Sequence, residues 1–247
     1  MAKQRVDQLL VERGLAESRT KAQALILAGL VYAGDRRIDK AGDRFAADAV
    51  LAVKGRDHPW VSRGGVKLAH ALDHFGIDVS GRIALDIGAS TGGFTDVLLA
   101  RRARRGYAVD VGHGQLAWKL RQDPRVVVRE RVNARVLTFE QISEAVEIIT
   151  CDVSFIGLTT VLPAPLALAA AHATLVALVK PQFEAGRESV GKGGVVRDPA
   201  VHSLVCDRAA AWVGAQPGWT VEGIIESPIL GGEGNREFLL GARHHGR

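Results

Sequence analysis

The sequence predicts an α/β protein in two parts: a small α+β domain over residues 1–54, then a larger domain over 63–247 built on a mostly parallel sheet. Three observations predict it. From residue 64 onward, apolar strands alternate with helical stretches, the pattern of a parallel sheet covered on both faces. The first 54 residues lack that alternation and read helix, helix, short strands. Between the two parts, Lys54-Gly55-Arg56-Asp57-His58-Pro59 is polar, turn-rich and ends in a helix breaker, which marks an interdomain linker over 55–62. The composition agrees: 247 residues, 47% hydrophobic and 24% charged, are enough for a real core. The longest apolar stretches run about 10 residues and contain prolines, whereas a membrane-spanning helix needs about 20. The N-terminus turns polar at once, so neither a secretory signal nor a membrane span is expected. Cys151 and Cys206 read as reduced thiols of a cytoplasmic protein, and no metal centre is expected.

In the first domain, Val6, Leu9 and Leu10 give one apolar helix face. Ser18 is placed to cap a second helix whose buried side carries Ala22, Leu25, Ile26 and Gly29. Leu30-Val31-Tyr32, Gly34 and Val50-Leu51-Ala52-Val53 suggest a small sheet with a tight turn. The segment holds 10 Lys/Arg against 7 Asp/Glu, and several of its cations lie outside the apolar faces. The net charge of +5 is compatible with a nucleic-acid partner without demanding one.

In the second domain the expected helices are Gly65–Phe75, Phe94–Ala100, Gln115–Arg121, Leu158–Ala170 and Pro199–Gly214. The expected strands are Arg82–Ile87, Gly106–Val111, Val126–Val128, Val146–Cys151, Thr174–Val179, Trp219–Glu226 and Glu237–Gly241. No long helix separates the last two strands, so they form a hairpin-like ending that adds an antiparallel strand. That makes seven strands.

The first strand runs into Asp86-Ile87-Gly88-Ala89-Ser90-Thr91-Gly92-Gly93-Phe94. Small residues there let backbone amides approach a ligand at the carboxyl edge of the sheet. Asp110 ends the next strand, where an acid can accept hydrogen bonds from a ribose diol. The loop has no lysine, so it is not a phosphate-binding P-loop, and glycines at 88, 92 and 93 do not match G-x-G-x-x-G. An acid, a Gly/Ala/Ser loop and a second acid resemble the S-adenosylmethionine-dependent methyltransferases. That resemblance implies cofactor contacts from Asp86, Gly88, Ala89, Ser90, Thr91, Gly92, Gly93, Phe94 and Asp110, with Asn133 after the third strand at the adenine.

After the fourth strand comes Cys151-Asp152-Val153-Ser154-Phe155, neither the Asp/Asn-Pro-Pro-aromatic motif of amine methylation nor a Pro-Cys nucleophile. Lys180 ends the fifth strand, Lys67 sits on the first helix and Glu237 begins the last strand. The series Lys67, Asp152, Lys180, Glu237 resembles the tetrad of FtsJ-type ribose 2′-O-methyltransferases. A ribose hydroxyl is a poor nucleophile and needs a positioned proton acceptor. Lys180 is expected to be that base, with Asp152 and Glu237 orienting the lysines and Lys67 tuning the site.

The N-terminal strings Arg5-Val6-Asp7-x-x-Leu10, Gly14-Leu15, Ser18-Arg19-x-x-Ala22 and Leu25-Ile26-x-x-Gly29 resemble the RNA-binding module named after ribosomal protein S-four. This resemblance implies RNA contacts from Arg5, Arg19, Lys21, Arg36 and Arg37. Such a module ahead of a methyltransferase, with Val61–Gly65, Cys151–Ile156, Val179–Glu184 and Gly191–Arg197, resembles the TlyA/hemolysin A family. The fold implied is Rossmann-like, and the function is S-adenosylmethionine-dependent 2′-O-methylation of ribosomal RNA at cytidine. S-adenosylhomocysteine would be the product, ribosomal RNA or ribosomal subunits the partner, and no membrane or obligatory protein partner is expected. His58-Pro59-Trp60-Val61 departs from the Arg-x-Trp-Val of several members. A non-catalytic ribosome-associated RNA-binding factor is the main alternative, and a membrane-active hemolysin a weaker one.

Overall fold

The computed structural model describes residues 3–246 apart from Gly14, Glu17, Ala28 and 54–57. Gly14 of the N-terminal pattern and most of the expected linker thus lie outside the described residues. The chain forms two compact units, divided between Pro59 and Trp60. Trp60, Val61 and Ser62, at the end of the expected linker, belong to the second unit: Trp60 packs on its core, and Val61 N–H donates to Asp96 Oδ2 at 2.8 Å.

The first unit begins with β1 (Lys3–Arg5), α1 (Val6–Glu12), α2 (Arg19–Leu27), β2 (Val31–Ala33) and β3 (Arg36–Arg37), and continues with β4 (Arg44–Ala46) and β5 (Leu51–Val53). β2 is the centre of a three-stranded antiparallel sheet, and β1 pairs with β4. Ser18 Oγ accepts the Lys21 N–H at 3.2 Å, capping α2 as its sequence position implies. Val6, Leu9, Leu10, Ala22 and Ile26 meet Val31, Ile38 and Leu51 in one core, while Leu25 is only partly buried.

The second unit opens with α3 (Gly64–His74), β6 (Ile83–Ile87), α4 (Gly93–Ala100), β7 (Arg105–Asp110), α5 (Trp118–Arg121) and β8 (Val126–Glu130). There follow β9 (Val146–Cys151), α6 (Leu158–Val161), α7 (Pro163–Ala167), β10 (Ala169–Val179), α8 (Pro181–Glu184) and α9 (Pro199–Gly214), and then β11 (Trp219–Glu226) and β12 (Phe238–His244). The seven strands lie in the order β11-β12-β10-β9-β6-β7-β8. β12 is antiparallel to both its neighbours, and β10, β9, β6, β7 and β8 run parallel.

Strand alternation splits the core across the sheet. Leu85, Ile87, Ile149, Cys151, Leu175 and Val179 face α6, α7 and α9. Ala84, Ile148, Val176, Leu178 and Leu239 face α3 and α4.

Two expected helices are corrected. The helix read over Leu158–Ala170 is two short helices broken at Pro163, whose ring cannot continue the first. The chain then enters β10 at Ala169, earlier than expected. The helix over Gln115–Arg121 is a single turn from Trp118, because Ala117 is extended and gives its N–H to the Thr91 carbonyl at 3.0 Å.

Candidate active site at the carboxyl edge of the sheet

The loop from β6 to α4 is shaped by steric necessity. Gly88 has φ +78°, and a Cβ there would lie 2.4 Å from the Asp152 carbonyl oxygen. At Gly93 a Cβ would come within 2.2 Å of Ser62 Oγ and 2.8 Å of the Gly65 nitrogen. No side chain fits at either position, so the loop lies tightly against the start of α3 and the end of β9. Two cavities open on it, and a third shares Lys67, Ser154 and Lys180 with the first. One of 310 Å³ is lined by Lys67, Gly88–Thr91, Gly93, Phe94, Asp152 and Lys180. A second, of 350 Å³, has apolar walls from Ile87, Val109, Val132, Val153 and Ile156, with Asp110 and Asn133 as polar groups. The third, 880 Å³, is bounded by Lys67, Lys180, Phe183, Gly193, Gly194 and Glu237.

Asp110 Oδ2 accepts the Ser90 N–H at 2.8 Å and Oδ1 accepts that of Gly112 at 2.7 Å. The carboxylate is thereby fixed at the cavity wall, and Ser90 is held at φ +48°. Asn133 lines the same cavity, but its Oδ1 also accepts the Arg135 N–H at 3.1 Å. It both caps a turn and faces the pocket.

Asp86 is not where its motif position suggests. It is buried at 1% exposure and lines none of these cavities. Thr95 donates to its Oδ2 at 2.6 Å and Thr150 to its Oδ1 at 3.1 Å. The carboxyl braces β6 against β9 and α4 from beneath the loop. Gly92 likewise lines none of the three cavities; a Cβ on it would strike Leu120 and Leu116.

Burial pushes the Asp86 pKa up to about 6 despite its two hydroxyl donors. The folded chain therefore holds this proton more tightly than the unfolded chain does. The stability that goes with it is complete below pH about 4 and is lost as the pH rises through about 6. Asp86→Asn is expected to flatten that part of the curve, measured by urea unfolding of the cofactor-free protein. Parallel curves for the two proteins would show that Asp86 does not titrate there.

The four tetrad residues come together as two ion pairs. Lys180 Nζ lies 2.6 Å from Asp152 Oδ1 and donates to Ser154 Oγ at 3.1 Å. Lys67 Nζ lies 2.5 Å from Glu237 Oε2. Lys67, Lys180 and Glu237 are each under 10% exposed, so each lysine depends on its acid for charge balance. The sequence reading missed three participants. Ser154 reaches all three cavities and holds Lys180, yet a serine after a strand carries no motif signal. Arg63 Nη2 donates to the Leu230 carbonyl at 2.7 Å, anchoring the loop before Glu237. Asn235 accepts the Val196 N–H at 3.1 Å and donates to the Gly194 and Gly232 carbonyls at 3.0 and 3.2 Å, joining the two glycine-rich walls of the third cavity.

With this geometry, the relatives are informative. Residues 60–244 match the FtsJ-like methyltransferase model, and residues 4–51 match the S4 domain model. A candidate rRNA methyltransferase of Bacillus subtilis, YqxC, is 53% identical over 96% of this chain and 85% of its own. The 16S/23S rRNA (cytidine-2′-O)-methyltransferase TlyA of Mycobacterium tuberculosis is 50% identical over 97% of this chain and 89% of its own. A solved candidate hemolysin from Streptococcus thermophilus is 44% identical, superposes with a TM-score of 0.77 and covers 99% of this chain and 89% of its own. The chain belongs to the TlyA/hemolysin A family of FtsJ-like methyltransferases.

The FtsJ-like domain here is the second unit, and the tetrad pattern falls on its sheet edge. In the S4 domain three of the five expected RNA contacts, Arg5, Arg19 and Arg37, pair with acids. Buried Asp7 receives Arg5 through two bonds of 3.0 Å, Arg19 at 2.9 Å and Gln23 at 3.0 Å. Arg5 foremost, with Gln23 and Arg19, holds the Asp7 carboxyl well below the usual carboxylate range. Arg19 and Gln23 thus tie α2 to Asp7 of α1, while Arg5 pairs with Asp7 from the preceding strand. Arg37 pairs with Asp39 at 2.8 Å on the surface, and the side chains of Lys21 and Arg36 are exposed. Among the described residues, no helix is long and apolar enough to cross a membrane.

Proposed function

We propose that this chain transfers a methyl group from S-adenosylmethionine to a ribose 2′-hydroxyl of ribosomal RNA, at a cytidine. The observation that carries the reading is the pairing of Lys180 with Asp152 and of Lys67 with Glu237, both bordering the large cavity beside the cofactor-type loop. TlyA of M. tuberculosis, at 50% identity, is named for cytidine 2′-O-methylation of 16S and 23S rRNA, and the S4 domain supplies a second surface for RNA. A ribosomal substrate puts the enzyme in the cytoplasm.

The pocket suits the cofactor. Asp110 presents a fixed carboxylate to a ribose diol, apolar walls suit an adenine ring, and the loop over Gly88–Thr91 leaves backbone exposed to the amino-acid end. When bound, S-adenosylmethionine supplies an electrophilic methyl group on its sulfonium. Asp152 and Ser154 aim Lys180 Nζ at the acceptor cavity; the ammonium first gives one proton to water, and the neutral amine then takes the hydroxyl proton as the methyl transfers. The Lys67–Glu237 pair completes the wall.

The direct test is to map 2′-O-methyl groups on ribosomal subunits incubated with protein and labelled cofactor. Methyl groups on cytidine riboses are expected, with RNA binding that weakens steeply with salt. Label on base atoms, or none, would defeat the reading. Asp110→Ala is expected to weaken cofactor binding by about 1–3 kcal/mol in calorimetry, since a fixed acceptor is lost and the Ser90 turn is released. Unchanged affinity would remove Asp110 from the pocket.

A further inference from the structure

Two strand-end segments carry the Lys180–Asp152 pair, and they touch at four places. Asp152 and Ser154 both meet Lys180, and Phe155 packs on Phe183 with ring centres 4.9 Å apart. The fourth contact lies farthest from the reacting end. Glu184 closes α8, whose first residue follows Lys180, and its Oε1 accepts the Leu158 N–H at 2.7 Å. Leu158 is the first residue of α6, and Gly157 before it has no side chain with which to cap that helix. Glu184 therefore supplies a cap from another element.

The fit is close on both sides. A Cβ on Gly157 would lie 3.0 Å from Glu184 Oε2. The Glu184 N–H in turn donates to the Lys180 carbonyl at 3.2 Å, so the carboxylate and Lys180 are joined through one turn of backbone. Burial raises the Glu184 carboxyl above its usual range, opposed by the Leu158 bond. Glu184 lines none of the three cavities that surround the tetrad, which places it behind the reacting groups.

We infer that Glu184 is a positioning residue for methyl transfer: its bond to Leu158 fixes the segment bearing Asp152 and Ser154 against the segment bearing Lys180. The inference rests on the reading of this site as a methyltransferase centre. Small displacements of reacting groups cost heavily, on the order of 10²-fold for about 1 Å.

The test compares kcat and cofactor KM for methyl transfer to ribosomal subunits. Glu184→Ala is expected to lower kcat by about ten- to a hundredfold with cofactor KM within about twofold. Glu184→Gln, which keeps an oxygen for the Leu158 N–H, is expected to stay near wild type. The deciding variant is Glu184→Ala with Gly157→Ser, which gives α6 a local cap but leaves the two segments untied. Its stability is expected to recover while kcat stays low. Recovery of kcat, a kcat near wild type in Glu184→Ala, or a Gln variant as impaired as Ala would each overturn the inference. An inactive wild-type protein would instead defeat the methyltransferase reading. Hydrogen exchange of residues 152–158 needs no substrate and still tests the tie: faster exchange in Glu184→Ala supports it, and unchanged exchange overturns it.

Discussion

Lys180→Ala is expected to lose methyl transfer by about 10²–10⁴-fold, the contribution of a positioned general base, with cofactor affinity nearly unchanged. The reason is placement. Lys180 ends β10 and faces the acceptor cavity, whereas the groups suited to the cofactor's nucleoside end gather after β6, β7 and β8. Lys180→Arg is expected to fail as well, because a guanidinium stays protonated and its planar fork cannot reproduce the contacts to Asp152 and Ser154. Asp152→Ala should be nearly as damaging, and the double variant little worse than either single one, since the residues act as a unit. Single-turnover transfer to ribosomal subunits at saturating cofactor, followed against pH, checks this. Substantial activity in Lys180→Arg would show that the site works by positioning and electrostatics without a lysine base.

The largest expected effect on stability belongs to Glu237. Its carboxylate is 3% exposed and balances an equally sequestered Lys67, so Glu237→Ala strands a buried ammonium. Removing one partner of such a pair costs about 3–5 kcal/mol. Lys67→Met with Glu237→Leu is expected to recover most of that loss, because well-packed apolar residues replace buried pairs at little cost. The double variant should nevertheless remain inactive. Urea unfolding of wild type, Glu237→Ala and the double variant reads the first effect, and methyl transfer reads the second. A Glu237→Ala protein as stable as wild type would mean that Lys67 finds another partner or water.

The parallel core was legible because β6 and β9 are short apolar runs bounded by loops, and the alternation of strand and helix admits few topologies. The tetrad was legible because each member sits at a strand end or on the helix before the sheet. What the sequence hid was the work of ordinary residues. Asp86 and Asp110 both end strands before small-residue turns, yet one points down into hydroxyls and the other into a cavity. Period-two patterning assigns a strand residue to a face but not to a neighbour. Arg5 and Arg19 showed a similar ambiguity: they belong to an RNA-facing pattern, and the buried Asp7 carboxylate, two residues from Arg5 and twelve from Arg19, pairs with both. Ser154, Asn235 and Glu184 bond across 26 to 41 residues of sequence, and no local pattern marks such bonds.

The antiparallel insertion of β12 has a consequence for the order of events in synthesis. β12 slots between β10 and β11, with Phe238 opposite Val179, and β11 has no other strand partner among the described residues. Lys67, Asp152 and Lys180 are therefore translated before the strand that fills the sheet's penultimate position. Only when the last-made strand arrives do Leu239, Leu240 and Ala242 seal the core, and only then does Glu237 reach Lys67. A nascent chain has a lysine without its counter-charge, and a message cut short before this strand yields no working centre.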